Sequence, residues 1–203
     1  MHYYTNNVDE ASKESQFTTE LRGCPLKLTT DIGVFSKSDV DFGSRLLVEA
    51  FQAPEVEGKF LDVGCGYGPI GLTLAKCHPQ RRVEMVDVNL RAIGLSQKNA
   101  KLNGVSNVRI FESSVYEQVA GKFAAILSNP PIRAGKKVVH EILSGSKAHL
   151  LPGGELWIVI QKKQGAPSAQ QKMEEVFGNC DVVVRKKGYF ILRSKNLDTI
   201  AKK

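Results

Sequence analysis

No segment of the 203-residue chain is both long and apolar enough to cross a bilayer, and the apolar run Leu156–Ile160 is only one buried strand in length. Residues 1–16 are polar and lack the apolar centre of an export signal. Cysteine is scarce: four residues, at 24, 65, 77 and 180, form no Cys-x-x-Cys pair, and the four histidines do not cluster. That spacing suits no zinc site, and a chain of this length and character needs no disulfide framework. Reduced thiols, no metal and a cytoplasmic location are expected. Acidic residues are also short, 21 Asp and Glu against 28 Lys and Arg. The net charge of +7 favours an anionic partner. Its excess is concentrated at Arg81-Arg82, Lys136-Lys137, Lys162-Lys163 and Arg185-Lys186-Lys187, which together read as a nucleic-acid footprint.

What remains is ample for one domain with a sizeable core. Phe17–Arg22 and Leu26–Thr29 flank Gly23-Cys24-Pro25 and predict a small hairpin. Ser38–Ala53 carries a helical stripe ending before Pro54. From Lys59 strands and helices alternate: strand 59–63, helix 69–77, strand 82–88, helix 89–103, strands 108–111 and 123–128, helix 136–150, strand 155–160 and helix 168–177. Pro152-Gly153-Gly154 is expected to end the helix at 150, and Gln164–Ser168 to be a flexible loop. Such alternation predicts an α/β fold, a mostly parallel sheet with helices on both faces. The last two strands, 181–185 and 189–193, are too close for a crossover and should form an antiparallel hairpin.

In an open parallel sheet, ligands gather at the C-terminal strand tips. Three features fall there. Phe60-Leu-Asp-Val-Gly-Cys-Gly-Tyr-Gly-Pro-Ile-Gly71 places Gly64, Gly66 and Gly68 between a strand and a helix whose first amides can meet an anion. Gly66–Gly71 formally matches G-x-G-x-x-G, but Asp62 lies just upstream, well placed for a cationic group and awkward beside a pyrophosphate. Asp87 ends the next strand at the spacing of a ribose-binding carboxylate, while Asn89 is the better helix cap. Finally, Asn129-Pro130-Pro131-Ile132 must stop its strand and present one amide side chain on a stiff loop.

Together these residues resemble the class I S-adenosylmethionine-dependent methyltransferases over roughly residues 59–194. The resemblance implies a Rossmann-like seven-stranded sheet with an antiparallel C-terminal hairpin. It implies that Asp62, Gly64, Cys65, Gly66 and Gly68 hold the methionine and ribose part of the cofactor, that Asp87 takes the ribose hydroxyls, and that Val88, Asn89 and Ser114 are further contacts. Gly33-Val-Phe-Ser-Lys37, Val40-Asp-Phe-Gly43 and Asn129-Pro-Pro-Ile-Arg-Ala-Gly-Lys136 extend the match to the ribosomal RNA small-subunit methyltransferase C family. That family makes N2-methylguanine in 16S rRNA. By this resemblance Phe35 and Lys37 lie beside the cofactor, Asn129, Pro130, Pro131 and Ile132 form the reaction centre, and Arg133, Lys136 and Lys137 are candidate RNA contacts. Residues 1–37 are then an N-terminal extension bearing a β-hairpin, and 38–203 the methyltransferase unit.

The implied chemistry is alignment of a weakly nucleophilic amine against an already activated methyl group. Asn129 Oδ1 and the Pro130 carbonyl can accept the amine hydrogens as they gain positive character. Many relatives carry Tyr or Phe where this chain has Ile132, so the base needs another planar partner, with Arg133 and Phe35 as candidates. Longer relatives carry an additional N-terminal domain, so RNA selection is expected from this chain's own basic surface or from the small ribosomal subunit. Protein-glutamine or DNA-amine methylation, a nucleotide-dependent oxidoreductase and a non-enzymatic RNA-binding module are the alternatives.

Overall fold

The computed structural model describes residues 13–31, 39–130 and 135–199. The chain opens with β1 (Ser15–Leu21) and β2 (Cys24–Thr30), paired antiparallel as a two-stranded sheet. α1 (Phe42–Ala50) follows, then β3 (Phe60–Val63), α2 (Pro69–Cys77), β4 (Val83–Asp87), α3 (Leu90–Leu102), β5 (Val108–Glu112) and β6 (Phe123–Ser128). α4 (Gly135–Ser146), β7 (Leu150–Gln161), α5 (Ala166–Phe177), β8 (Asp181–Lys186) and β9 (Tyr189–Lys195) complete it. The main sheet has the order β5-β4-β3-β6-β7-β9-β8. Its first five strands are parallel, and β9 runs antiparallel to both β7 and β8. The expected alternating fold and closing hairpin are both present. Strand order reverses between β3 and β6, which puts the crevice for ligands beside their tips.

The central strands are buried on both faces and so read as continuous apolar runs. In β7, Trp157 and Val159 face the layer of α1, α2 and α3, whereas Leu156, Ile158 and Ile160 face α4 and α5. Trp157 is fully buried, and its indole N–H donates to Glu155 Oε2 at 2.9 Å, so no polar atom of the ring is stranded. The hairpin joins the first layer through Leu21, Leu26 and Leu28. Asn99, buried on α3, locks it there: Oδ1 accepts from Thr29 N (2.7 Å), and Nδ2 donates to Thr29 O and to Tyr67 O (both 2.9 Å). One side chain thus ties the hairpin backbone to the glycine loop.

Three expectations need correction. The helix predicted from Ser38 begins at Phe42, because Asp41 caps it by accepting from Ser44 N at 3.0 Å; Ser38 itself lies outside the described residues. Pro152-Gly153-Gly154 does not separate helix from strand. β7 already starts at Leu150 and takes the Pro-Gly-Gly run as an irregularity in its pairing with β6, after a short 3-10 turn at 147–149. Gln164–Ser168 is not a loop: a 3-10 turn at 162–164 leads through Gly165 into the first turn of α5, where Pro167 is tolerated. Arg81 also turns out to be structural. Its guanidinium donates to Val56 O, Gly58 O and Pro54 O and lies over Phe60, so it does not serve an external anion. No helix among the described residues is long and apolar enough to cross a membrane.

Candidate functional site

The site is assembled on the tips of β3, β4 and β6. Asp62, third residue of β3, is fully buried. Its Oδ2 accepts from Gly71 N on α2 at 2.8 Å, while Oδ1 has no hydrogen-bond partner among the described residues. Burial raises its pKa to about 7, and the nearby Asp87 charge adds to the rise, against the lowering effect of the Gly71 bond. It is therefore a carboxyl that awaits a positive neighbour to ionise fully at neutral pH.

The glycine loop turns tightly after β3. Gly64, Gly66 and Gly68 all have positive φ, at 75°, 57° and 99°, where glycine is unstrained. Gly64 N and Cys65 N both donate to Val86 O at 2.9 Å, and Gly66 N donates to Asp87 Oδ2 at 2.9 Å. The other Asp87 oxygen accepts from Asn89 N, also at 2.9 Å. Asp87 thus positions the loop through both carboxylate oxygens. Asn89 caps α3 by accepting from Arg91 N and Ala92 N, as its spacing predicted. The Cys65 side chain is buried against Ser96, so only its backbone is offered to a ligand. The last glycine of the formal motif serves packing: a Cβ on Gly71 would lie 2.6 Å from Met85 Cγ.

A cleft runs from the β3 and β4 tips past β5, lined by Val63, Gly64, Asp87, Val88 and Ser114 on one side and by Val138, Glu141 and Ile142 of α4 on another. Ser113 and Val115 complete its lining. Val115 holds φ at +49°, an unfavourable conformation for a β-branched residue. The Ser113 hydroxyl donates to Val115 O (3.1 Å) and accepts from Gln118 N (3.1 Å), which braces that turn.

Asn129 follows β6, whose Ser128 is in register with Val63, so it leaves the sheet at the same level as the start of the glycine loop. Nδ2 donates to Asp41 Oδ1 and to Ser44 Oγ, each at 3.0 Å. A carboxylate can only accept, so this fixes which end of the amide faces α1. No described residue donates to Oδ1. Pro130 is buried beside it; Pro131, Ile132 and Arg133, like Phe35 and Lys37, lie outside the described residues. Lys136 and Lys137 are exposed in the first turn of α4.

Sequence reasoning missed Asp41 and Ser44, although Asp41 fell within a quoted motif. Their Asp-x-x-Ser spacing announces a helix cap and gives no hint of a partner at 129. It also missed Tyr67, whose buried hydroxyl has no partner among the described residues; burial raises its pKa, and the charges of Asp41 and Asp39 add to that. Ser113, Val138 and Glu141 carried no local signal at all.

The family described as methyltransferase small domain matches residues 25–193. The chain belongs to that family. A Bacillus subtilis protein named uncharacterized protein YbxB is 54% identical, the match covering 97% of this chain and 98% of that one. Ribosomal RNA small subunit methyltransferase C of Vibrio parahaemolyticus is 33% identical over 95% of this chain and 58% of its own length. The fold also superposes on the Thermus thermophilus 16S rRNA N2 G1207 methyltransferase in complex with AdoMet and guanosine, with a TM-score of 0.81 and 27% identity. That match covers 90% of this chain and 50% of the other. The chain therefore spans about half the length of the rRNA methyltransferases it resembles.

Proposed function

We propose that the protein transfers a methyl group from S-adenosylmethionine to an exocyclic amine of RNA, N2 of a guanine in 16S rRNA, and that it does so in the cytoplasm. The observation that carries this reading is the anchored amide of Asn129. With its NH2 held by Asp41 and Ser44, its carbonyl oxygen has no donor among the described residues, and the residue follows the β6 tip, next to that of β3. A hydrogen-bond acceptor there suits an amine, whose hydrogens become more acidic as nitrogen attacks.

The crevice fits the cofactor on its own terms. Asp62 Oδ1, without a hydrogen-bond partner among the described residues, suits an ammonium group, and Asp87 in the lining of the cleft suits paired hydroxyls. Val63, Val88 and Ile142 offer apolar walls to a flat ring. When bound, the sulfonium supplies a methyl group that needs no further activation. The chain's part is to align the amine, accept its hydrogens at Asn129 Oδ1 and at the Pro130 carbonyl, and exclude water. No strong base is required, because the proton leaves after transfer.

The test is tritiated methyl transfer to small ribosomal subunits, naked 16S rRNA, total tRNA and a release factor. Label is expected in 16S rRNA, free or assembled. Label in the release factor alone would replace the RNA reading with glutamine methylation, the second reading an amide acceptor of this kind allows.

A further inference from the structure

The row of strand tips continues past Asn129 to a cluster of exposed positive charge. Lys162 and Lys163 follow β7, and Arg185, Lys186 and Lys187 lead into the β8–β9 turn; all five are exposed. Because β9 runs antiparallel to β7, with Tyr189 opposite Gln161, that turn comes up at the same edge as the β7 tip. The two turns are joined directly, Lys162 N donating to Gly188 O at 2.8 Å. Among the described residues none of the five cations is in an ion pair, whereas Arg45, Lys59, Arg91 and Lys98 all have carboxylate partners.

An aromatic pair links this charge to the reaction centre. Phe42 and Tyr189 are half-buried, with ring centroids 5.3 Å apart. Lys187 Nζ sits 5.0 Å from the Phe42 centroid. Gly43 lets these groups close up: a Cβ there would be 3.1 Å from Tyr189 Cε1 and 3.2 Å from Asp41 Oδ1. Asp41 in turn holds Asn129. A continuous path therefore runs from the lysines over two rings to the amide.

The β8–β9 turn has a counterpart elsewhere in the molecule. Arg22-Gly23 closes β1–β2 and Lys187-Gly188 closes β8–β9, each with both residues at positive φ. A long basic residue is an unfavoured choice at the first of these positions, where Asn, Asp or Gly are the usual occupants. Arg22 earns no puzzle, since its guanidinium donates to Val48 O and Phe51 O at the end of α1. Lys187 makes no such bond among the described residues, and its charge stays outside.

We propose that the turns at 162–163 and 185–187, with the Phe42–Tyr189 rings, form the track along which single-stranded RNA reaches Asn129, phosphates on the cations and a base against the rings. From β6 to β8 the track crosses three strand spacings, about 14 Å. Exposed cations beside an aromatic platform are the combination that holds single strands, by charge along the backbone and by stacking on the bases. The proposal rests on the RNA reading above and supplies the planar partner that an aliphatic Ile132 leaves wanting.

The test is the affinity of a fluorescein-labelled single-stranded RNA oligonucleotide across a sodium chloride series. Wild type is compared with Lys186→Gln/Lys187→Gln, Lys162→Gln/Lys163→Gln, and Lys101→Gln/Lys122→Gln on the opposite edge of the sheet. Each track pair should lose roughly tenfold in affinity, and its slope against log salt should flatten by about 1.4, the share of two phosphate contacts on a single strand. The KM for RNA should rise in step with kcat unchanged, and the Lys101/Lys122 pair should stay within twofold of wild type. Tyr189→Leu should weaken binding about tenfold and Tyr189→Phe restore it. Equal losses in the control pair, unchanged track pairs, or binding of an acidic protein without RNA would overturn the track. If wild type methylates no RNA while the track pairs are still selectively weakened, the track stands and the methyltransferase reading of its cargo falls.

Discussion

The two halves of the sheet's C-terminal edge are built on opposite plans. Around β3 and β4 the carboxylates are buried and accept from backbone amides of the loop and helices that follow these strands: Asp62 from Gly71, Asp87 from Gly66 and Asn89. Around β6, β7 and β9 the same edge is open, and its key amide is held by residues that lie 85 and 88 positions away along the chain. The first half is a socket whose bonds join adjacent strand–loop–helix units. The second is a platform whose parts converge only through the fold. A socket suits a constant ligand and a platform suits a large, variable one, which is the division of labour that a cofactor and an RNA would require.

Substitutions should separate the halves. Removing the amide with Asn129→Ala should lower kcat by roughly 10²–10³-fold, as expected when one group that stabilises developing charge is lost. Cofactor affinity, measured by calorimetry with S-adenosylhomocysteine, should stay within about twofold, since the socket is untouched. Asp41→Ala frees the same amide to rotate and should give a smaller fall in kcat, about 10-fold, together with about 1 kcal/mol of stability from the lost cap. If both variants instead lose cofactor affinity, the two halves are one site and the comparison fails.

Asp62 gives the next effect, and its sign is definite. Its pKa is about 7 in the folded chain against 3.8 for the ordinary group, so the folded state holds a proton that the unfolded state releases between those values. The ligand-free protein should therefore lose stability as pH rises from about 4 through 7 and change no further from this group above that range. An ammonium beside Asp62 reverses the preference, so S-adenosylhomocysteine should bind more tightly as pH rises through 7. Asp62→Asn should flatten both trends and cost roughly tenfold in affinity at alkaline pH, about the value of one pKa unit. Melting temperature and affinity measured over the same pH series check the pair.

Gly71→Ala asks whether the formal glycine motif is there for a ligand or for packing. The added methyl meets Met85, so stability should fall by about 1–3 kcal/mol, and Met85→Ala in the same chain should recover part of it. Recovery of melting temperature without a change in cofactor affinity would place Gly71 in the core. The smallest effect belongs to Asn89→Ala, about 1 kcal/mol for loss of the α3 cap.

The contrast between halves also governs how much could be read from sequence. α2 and β6 were predicted to the residue, because Pro69 and Gly68 mark one boundary and the Pro-Pro turn marks the other. The glycine loop, Asp62, Asp87 and the Asn89 cap were legible because each sits at a boundary that the local sequence marks, the end of a strand or the start of a helix. The start of β7 was misread because turn residues normally end an element, whereas here β7 itself takes in Pro152-Gly153-Gly154 as an irregularity in its pairing with β6. Asp41, Ser44 and the Tyr189 ring were invisible as site residues, since nothing at 41 or 189 announces the amide at 129. Tertiary convergence leaves no local trace.

The central claim is that an anchored amide delivers an exocyclic amine to the methyl donor. Its most direct measurement is nucleoside analysis of 16S rRNA labelled by wild type and by Asn129→Ala. The account predicts label in N2-methylguanosine with wild type and almost none with the variant. Label in a nucleoside without a methylated amine, or undiminished label with Asn129→Ala, would contradict it.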